Sequence, residues 1–88
     1  MNKTRRGEIA AAVQRLTELA AEISDLRDTV ETIRDEEQEY FDNMPESIQS
    51  GERGQNAEAA ISELDDALSV LEDFDGDAIV TSLETAAE

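Results

Sequence analysis

A seven-residue repeat of apolar side chains runs along the first part of the chain and constrains its fold more than any other feature. One set of apolar residues recurs at this spacing: Ile9, Leu16, Ile23 and Val30. A second set follows three positions later: Ala12, Leu19, Leu26 and Ile33. Glu37 and Tyr40 continue the two sets in the same register. β-Branched residues prevail in the first set and leucine is common in the second, which is typical of a coiled coil. The repeat predicts one long helix from about Arg5 to about Phe41, about 50 Å in length.

Pro45 marks the end of this helix, because a proline disfavours helical geometry at the residue before it. We therefore expect a turn over residues 42–52, in which Gly51 and Gly54 supply flexible points. Beyond the turn, apolar residues recur at alternating spacings of four and three: Ala57, Ile61, Leu64, Leu68 and Leu71. This spacing predicts a second helix over about residues 53–74.

A second break is predicted at the segment "DFDGD", Asp73 to Asp77. Gly76 is expected to terminate the second helix, since glycine commonly ends helices. Asp77 is then expected to cap the N-terminus of a short amphipathic helix over about residues 77–87. At the other end of the chain, Thr4 is expected to cap the first helix.

These segments predict an all-α fold: a coiled-coil-like hairpin of a long and a shorter helix with a short C-terminal helix, in one domain over residues 1–88. The second helix is too short to cover the whole apolar repeat. Either the C-terminal helix turns back over the rest, or the rest forms a seam between chains. A chain of 88 residues with three aromatics has a small core, and we expect a homodimer. The residues expected at its seam are Ile9, Leu16, Leu19, Ile23, Leu26, Val30 and Ile33.

Functions that need reactive side chains are disfavoured by the composition. The chain has no cysteine and no histidine, which removes thiolate zinc sites and the commonest general base. The segment "SGERGQ" lacks the lysine and hydroxyl residue of a phosphate-binding loop. In "DFDGD" the glycine is fourth, whereas a calcium loop needs it sixth, so we interpret this segment as a helix junction with weak cation affinity. We predict no enzymatic activity, no catalytic residue, no cofactor and no metal site.

No apolar run approaches the roughly 20 residues that a membrane span needs. The opening "MNKTRR" is basic, but the apolar run after it is too short for a signal peptide. We therefore expect a soluble, intracellular protein that does not contact membranes.

The negative charge of the chain lies entirely in its second part. Residues 1–34 hold six basic and six acidic side chains, whereas residues 35–88 hold seventeen acidic side chains and one basic one, which accounts for the net charge of −16. Such a field repels nucleic acid and attracts basic protein surfaces. The charge therefore predicts a basic protein surface as the partner and no direct binding of nucleic acid.

The acidic segment "RDEEQEYFD" at the end of the first helix is the leading candidate for a contact with that partner. Negative charge is unfavourable at a helix C-terminus. The adjacent Tyr40 and Phe41 anchor an interface or cap the hairpin core against Met44 and Ile48, and both roles can hold at once with one ring buried and the other exposed. Arg53 is expected to pair with a neighbouring carboxylate such as Glu46 or Glu52. The residues expected to bind a partner are Asp35, Glu36, Glu37, Glu39, Tyr40, Phe41, Asp42, Met44, Glu46, Arg53, Glu58, Glu63, Asp65, Asp66, Glu72 and Asp73.

The segment "EEQEYFDNMPESIQSGERGQNAEAAISELDDALSVLE" resembles a recurrent pattern in small acidic helical proteins of tailed bacteriophages and prophages. The matching residues are Glu36, Glu37, Glu39, Tyr40, Phe41, Asp42, Asn43, Pro45, Glu46, Ser47, Gln49, Glu52, Arg53 and Gly54. No activity is established for that group. The resemblance implies a viral origin and hence the cytoplasm of an infected bacterial host.

Three functional hypotheses follow from these expectations. The first is an inhibitor that imitates DNA and occupies the nucleic-acid-binding surface of a host defence or regulatory protein, as anti-CRISPR or anti-restriction proteins do. The second is a structural or assembly protein whose apolar repeat is the functional surface and whose acidity maintains solubility. The third is an oligomer that sequesters a signalling nucleotide, which would need clustered basic groups that only the first helix carries.

Overall fold

The structure is a computed structural model that describes all residues, Met1–Glu88. It contains four helices and no strand: α1 (Lys3–Asp42), α2 (Glu46–Gln49), α3 (Glu52–Asp73) and α4 (Gly76–Ala87). The predicted all-α fold class is confirmed. The three predicted helices correspond to α1, α3 and α4, and the single-turn helix α2 lies within the predicted turn.

The contacts of the chain group it into two compact units. The first unit comprises Met1–Asp25 together with Phe74–Glu88, and the second comprises Leu26–Asp73. Helix α1 contributes residues to both units. The single domain that the sequence predicts stays a prediction.

The second unit is a helical hairpin in which α3 runs back along the C-terminal part of α1. Arg34 of α1 reaches Asp65 of α3 at 2.9 Å between Nε and Oδ1. The inward face of α3 carries the residues that its spacing predicts: Ala57 and Ile61 are buried, and Leu64, Leu68 and Leu71 are half-buried. Ala57 and Ile61 are the only buried apolar side chains of the chain, so its core is small.

The turn between α1 and α3 is held by specific hydrogen bonds. The side-chain amide of Gln49 donates to the carbonyl of Phe41 at 2.9 Å, and the backbone N–H of Met44 donates to the same carbonyl at 3.1 Å. These bonds satisfy one of the carbonyls that a helix C-terminus leaves without an intrahelical partner. The turn is therefore an ordered part of the hairpin.

Gly54 has a different role from the one that the sequence predicts. It is buried within α3, and no glycine of the chain has a positive φ, so no special backbone conformation requires a glycine there. A Cβ at this position would overlap the backbone of Gln49, including its carbonyl oxygen. Gly54 is thus a glycine because α2 approaches α3 too closely for any side chain, and the prediction that it supplies flexibility is wrong.

The first unit pairs α4 with the N-terminal part of α1. The Nε of Arg6 donates to the carbonyl of Ala87 at 2.9 Å. At the other end of α4, Gly76 lies so close to α1 that an added Cβ would stand 3.2 Å from the Cβ of Ala20. The half-buried apolar residues of this unit lie on both helices and at Phe74: Ile9, Val13, Leu16, Ala20, Ile23, Phe74, Val80, Leu83 and Ala87. Of the two arrangements that the sequence left open, the C-terminal helix does turn back onto α1.

Both predicted N-caps lie two residues from the true ones. The carboxamide oxygen of Asn2 accepts from the N–H of Arg5 at 2.8 Å, so Asn2 caps α1 in place of Thr4. The carboxylate of Asp75 accepts from the N–H of Ala78 at 3.0 Å, so Asp75 caps α4 in place of Asp77. An N-cap precedes its helix and accepts a hydrogen bond from an N–H two or three residues later. At the start of each of these two helices, the sequence offers two residues suited to that role.

Gly76 does not terminate α3 as the sequence predicts. It is the first residue of α4 and has no positive φ. Its nearest neighbours are Ala20 and the ring of Phe74, so its small size serves the close approach of α4 to α1. The prediction of a helix-terminating glycine there is wrong.

We expect Gly54→Ala to destabilise the chain by about 2 to 3 kcal/mol, because the new methyl group overlaps the backbone of α2. Gly7→Ala is the matched control, since a Cβ at Gly7 meets nothing within 4 Å. That control should stabilise the chain by about 0.5 to 1 kcal/mol through helix propensity alone. Urea unfolding followed by circular dichroism measures both changes. Equal stability of the two variants would show that the close approach does not constrain residue 54.

Candidate interaction surface

The face of α1 that packs within the chain is offset from the predicted one. The half-buried positions between residues 9 and 41 are separated alternately by four and by three residues, with Gln38 as one additional position. They are Ile9, Val13, Leu16, Ala20, Ile23, Arg27, Val30, Arg34, Glu37, Gln38 and Phe41. The first predicted set, which begins at Ile9, is inward as expected. Its inward companions lie four residues later, at Val13 and its heptad equivalents, whereas the sequence predicts companions three residues later.

The consequence is a row of apolar side chains on α1 that the chain itself leaves exposed. We call it the apolar stripe, and its members recur every seven residues: Ala12, Leu19, Leu26, Ile33 and Tyr40. The four large members, Leu19, Leu26, Ile33 and Tyr40, are 47%, 51%, 48% and 51% exposed. Single exposed apolar residues are ordinary, but a regular row along one helix is typical of an interaction surface.

The predicted seam residues therefore separate into two groups. Four of them are half-buried within the chain: Ile9, Leu16, Ile23 and Val30. The other three belong to the exposed apolar stripe: Leu19, Leu26 and Ile33. Only the second group has about half of its surface available to another molecule.

The acidic residues expected to bind a partner form what we call the acidic surface, and all of them lie in the second unit. Its members on α1 are Asp35, Glu36, Glu37, Glu39 and Asp42, and its other members are Glu46, Glu58, Glu63, Asp65, Asp66, Glu72 and Asp73. Every one is exposed except Glu37, which is half-buried. Only Asp35 and Asp65 among them form an ion pair, and both pair with Arg34. The acidic surface therefore keeps most of its charge uncompensated.

Arg34 is the one cation that connects the acids of α1 and α3. Its Nε lies 2.9 Å from Asp65 Oδ1, and its Nη1 lies 3.5 Å from Asp35 Oδ1. The hydrogen bond to Asp65 is the largest effect and raises the pKa of the guanidinium, whereas desolvation, the second largest, lowers it. The charge of Asp65, the hydrogen bond to Asp35 and the charge of Asp35 each raise it further. Because a raised pKa favours the charged guanidinium, the pair contributes to the stability of the fold at neutral pH, and this contribution is lost when the guanidinium deprotonates in strongly alkaline solution.

The aromatic pair divides between the two roles that the sequence allowed. Tyr40 is 51% exposed and belongs to the apolar stripe. Phe41 is half-buried, as are Met44 and Ile48 in the turn. One ring is thus available to a partner while the other lies largely within the hairpin.

Arg53 makes no ion pair with Glu46, Glu52 or any other carboxylate within 4.0 Å, so the predicted pairing is wrong. An exposed pair gains little energy in water and restricts two long side chains, which leaves no strong reason for it to form. Arg53 instead lines a shallow depression of about 270 Å³. The other residues around the depression are Tyr40, Asn43, Met44, Pro45 and Ile48.

Two further observations concern metal binding and membranes. No group of three or more acidic side chains is arranged to hold a metal ion, and the carboxylate of Asp75 caps α4. None of the helices combines the length and apolar character that crossing a membrane requires.

Comparison with known proteins gives no relative: the chain matches no protein-family model, no curated protein and no solved structure.

We expect Asp65→Asn to lower the melting temperature by about 2 to 4 °C, because it removes the negative charge of the ion pair that joins Arg34 to α3. Asp66→Asn removes the same charge one residue away, where no ion pair exists, and should leave the melting temperature unchanged or raise it slightly. The difference between the two variants should shrink in high salt, which screens exposed pairs. Indistinguishable melting curves in low salt would contradict a role for this pair in the hairpin.

Proposed function

We propose that the chain is a non-enzymatic, phage-encoded protein that occupies the basic, nucleic-acid-binding surface of a host defence or regulatory protein. The observation that carries the proposal is the acidic surface of the second unit. Residues 26–73 hold fifteen carboxylates and three arginines, and the ion pairs in this unit involve only Arg27 and Arg34. A basic protein surface is the chemical complement of such a field.

The density of negative charge on the hairpin supports an imitation of nucleic acid. Residues 26–42 of α1 carry seven carboxylates and α3 carries another seven. Because α3 is about 33 Å long, the hairpin presents about one carboxylate per 2.4 Å of its axis. Duplex DNA presents one phosphate charge per about 1.7 Å. The two linear densities are of the same order, so a groove or patch that binds DNA backbone meets a comparable row of charges here.

The carboxylates on α3 other than Asp65 are suited to such a contact because no cation of the chain forms an ion pair with them. Glu63, Asp66 and Asp73 are exposed and have no ion-pair partner within 4.0 Å. A partner's lysines and arginines could therefore approach without displacing an internal pair. The exposed ring of Tyr40 and the depression beside it add apolar area for contact.

The test captures partners from a bacterial lysate on the immobilised chain and measures the affinity for each purified protein. We expect capture of a nucleic-acid-binding protein that weakens steeply with salt and that duplex DNA displaces. Replacing Glu63→Gln, Asp66→Asn and Asp73→Asn together should raise the Kd about tenfold or more, mainly by slowing association.

The matched control carries Glu18→Gln, Glu22→Gln and Glu84→Gln, which remove the same charge from exposed positions in the first unit. This variant should retain the wild-type Kd within about twofold. An equal loss of affinity in the two variants would show that only net charge matters. Capture that DNA cannot displace, or no capture at all, would contradict the proposal.

A second function, a structural or assembly protein, has one observation in its favour, which is the exposed apolar stripe. If self-association were the function, the stripe would be the working surface and the acids would serve solubility. This alternative predicts assembly that resists salt and captures no host protein. The capture experiment above therefore separates the two functions.

A further inference from the structure

The apolar stripe is the strongest unassigned surface of the molecule. Its five members lie on α1 alone, a helix of 40 residues, and the distance from Ala12 to Tyr40 along that helix is about 42 Å. We propose that the stripe is the seam of an antiparallel homodimer, in which two α1 helices cross at Leu26. This assembly does not rest on the binding function proposed above, although Tyr40 and Glu36 belong to both surfaces.

A second copy is the occupant indicated by the sizes of the stripe residues. In an antiparallel pair centred on Leu26, positions equidistant from Leu26 face each other. Leu26 then meets the partner's Leu26, and Leu19 meets the partner's Ile33. At each end, the small Ala12 meets the large Tyr40 of the partner. A parallel pair would instead oppose two tyrosines at one end and two alanines at the other, which crowds one end and leaves a gap at the other.

The charges beside the stripe favour the same orientation. Arg15 and Glu36 occupy the same heptad position on the outer flank of the stripe, and neither has an ion-pair partner within its own chain. Antiparallel helices bring equivalent flanks together, so each Arg15 lies within one residue of the position opposite the partner's Glu36 and within reach of its carboxylate. Two such pairs form in each dimer. A parallel arrangement would place the two acidic C-terminal ends of α1 side by side, which is repulsive.

Arg53, near the start of α3, also lies close to a carboxylate of the second copy in this register. Glu8 precedes Arg15 by one heptad, and the partner's Asn43 lies within one residue of the position opposite Glu8. Asn43 lines the shallow depression together with Arg53, whose guanidinium has no carboxylate of its own chain within 4.0 Å. Glu8 of one copy therefore approaches the depression and the Arg53 guanidinium of the other.

The size of the seam is consistent with a stable pair. A strip about 42 Å long and about 10 Å wide gives about 420 Å² on each copy before the flanking side chains are counted. With those flanks the total approaches the roughly 1,000 Å² of a specific interface. The chain buries only Ala57 and Ile61 among its apolar side chains, and chains of this size with small cores commonly gain stability through association.

Analytical ultracentrifugation of the wild type across a concentration series tests the assembly. We expect a dimer, and a wild type that stays monomeric would overturn the proposal. Leu26→Asp places two like charges at the centre of the seam and should give a monomer whose helical circular dichroism is retained. Val70→Asp is the matched control, because Val70 is 72% exposed on α3 and outside the stripe, and it should remain a dimer. Dissociation of both variants, or of neither, would also overturn it.

Cysteine cross-linking tests the orientation, since the chain has no cysteine of its own. An equimolar mixture of Leu19→Cys and Ile33→Cys chains should form a mixed disulfide, and Leu19→Cys alone should not cross-link. The reverse result indicates a parallel pair and overturns the proposal.

A charge exchange tests the register. Arg15→Glu should weaken the dimer about tenfold or more, because it sets two glutamates against each other at both ends. Combining Arg15→Glu with Glu36→Arg should restore most of the affinity. Failure of this rescue would overturn the assigned register.

The variant that combines Glu63→Gln, Asp66→Asn and Asp73→Asn should dimerise like the wild type. The host-binding function and the dimer can therefore fail separately.

Discussion

The fold depends on the width of the apolar surface of α1, which exceeds what one helical neighbour can cover. The set of apolar residues that repeats from Ile9 can form a packing face with either of two other sets. One of these sets lies four residues later and begins at Val13, and the other lies three residues later and begins at Ala12. The chain uses the first of these sets internally, through α4 in the first unit and α3 in the second. The second of these sets is the apolar stripe, which remains exposed. The small core and the unpaired apolar row are therefore two consequences of one sequence pattern.

The helices could be predicted from the sequence because periodicity, proline and glycine act locally. Which of the two faces packs within the chain could not be predicted from the sequence, because the inward face includes Arg27 and Arg34. Both occupy inward positions of α1, yet a pattern that counts arginine as polar excludes them. An arginine can lie along an apolar surface with its alkyl stem while its guanidinium reaches water. The apolar Val13, Ala20 and Phe41 at the same heptad position were the available signal for the inward face.

The exposure of the acidic surface was predictable, since carboxylates are rarely buried without a partner, whereas its internal contacts were not. The bond from Arg34 to Asp65 joins residues 31 positions apart and depends on how α3 aligns with α1. The absence of a pair at Arg53 also depends on tertiary geometry, because Glu46 and Glu52 are close in sequence but more than 4.0 Å away in space. The role of Gly54 followed the same rule, since its neighbour Gln49 belongs to another helix.

The two proposals compete for part of the same surface, and this restricts how a host protein can bind. Tyr40 and Glu36 lie in the proposed seam, so in the dimer neither is free to anchor a host partner. Asp35 and Asp42 are each two residues from a stripe residue, which places them about 200° around α1 from it, and they stay accessible. The acids of α3 stay accessible as well.

Because the negative charges at the C-terminal end of α1 oppose its own helix dipole, a cation is favourable there, whether the second copy or the host protein supplies it. In the dimer, Arg15 of the second copy supplies it on one flank, and the host protein would supply it on the other. The host contact then falls on the side of the hairpin formed by α3 and the far flank of α1.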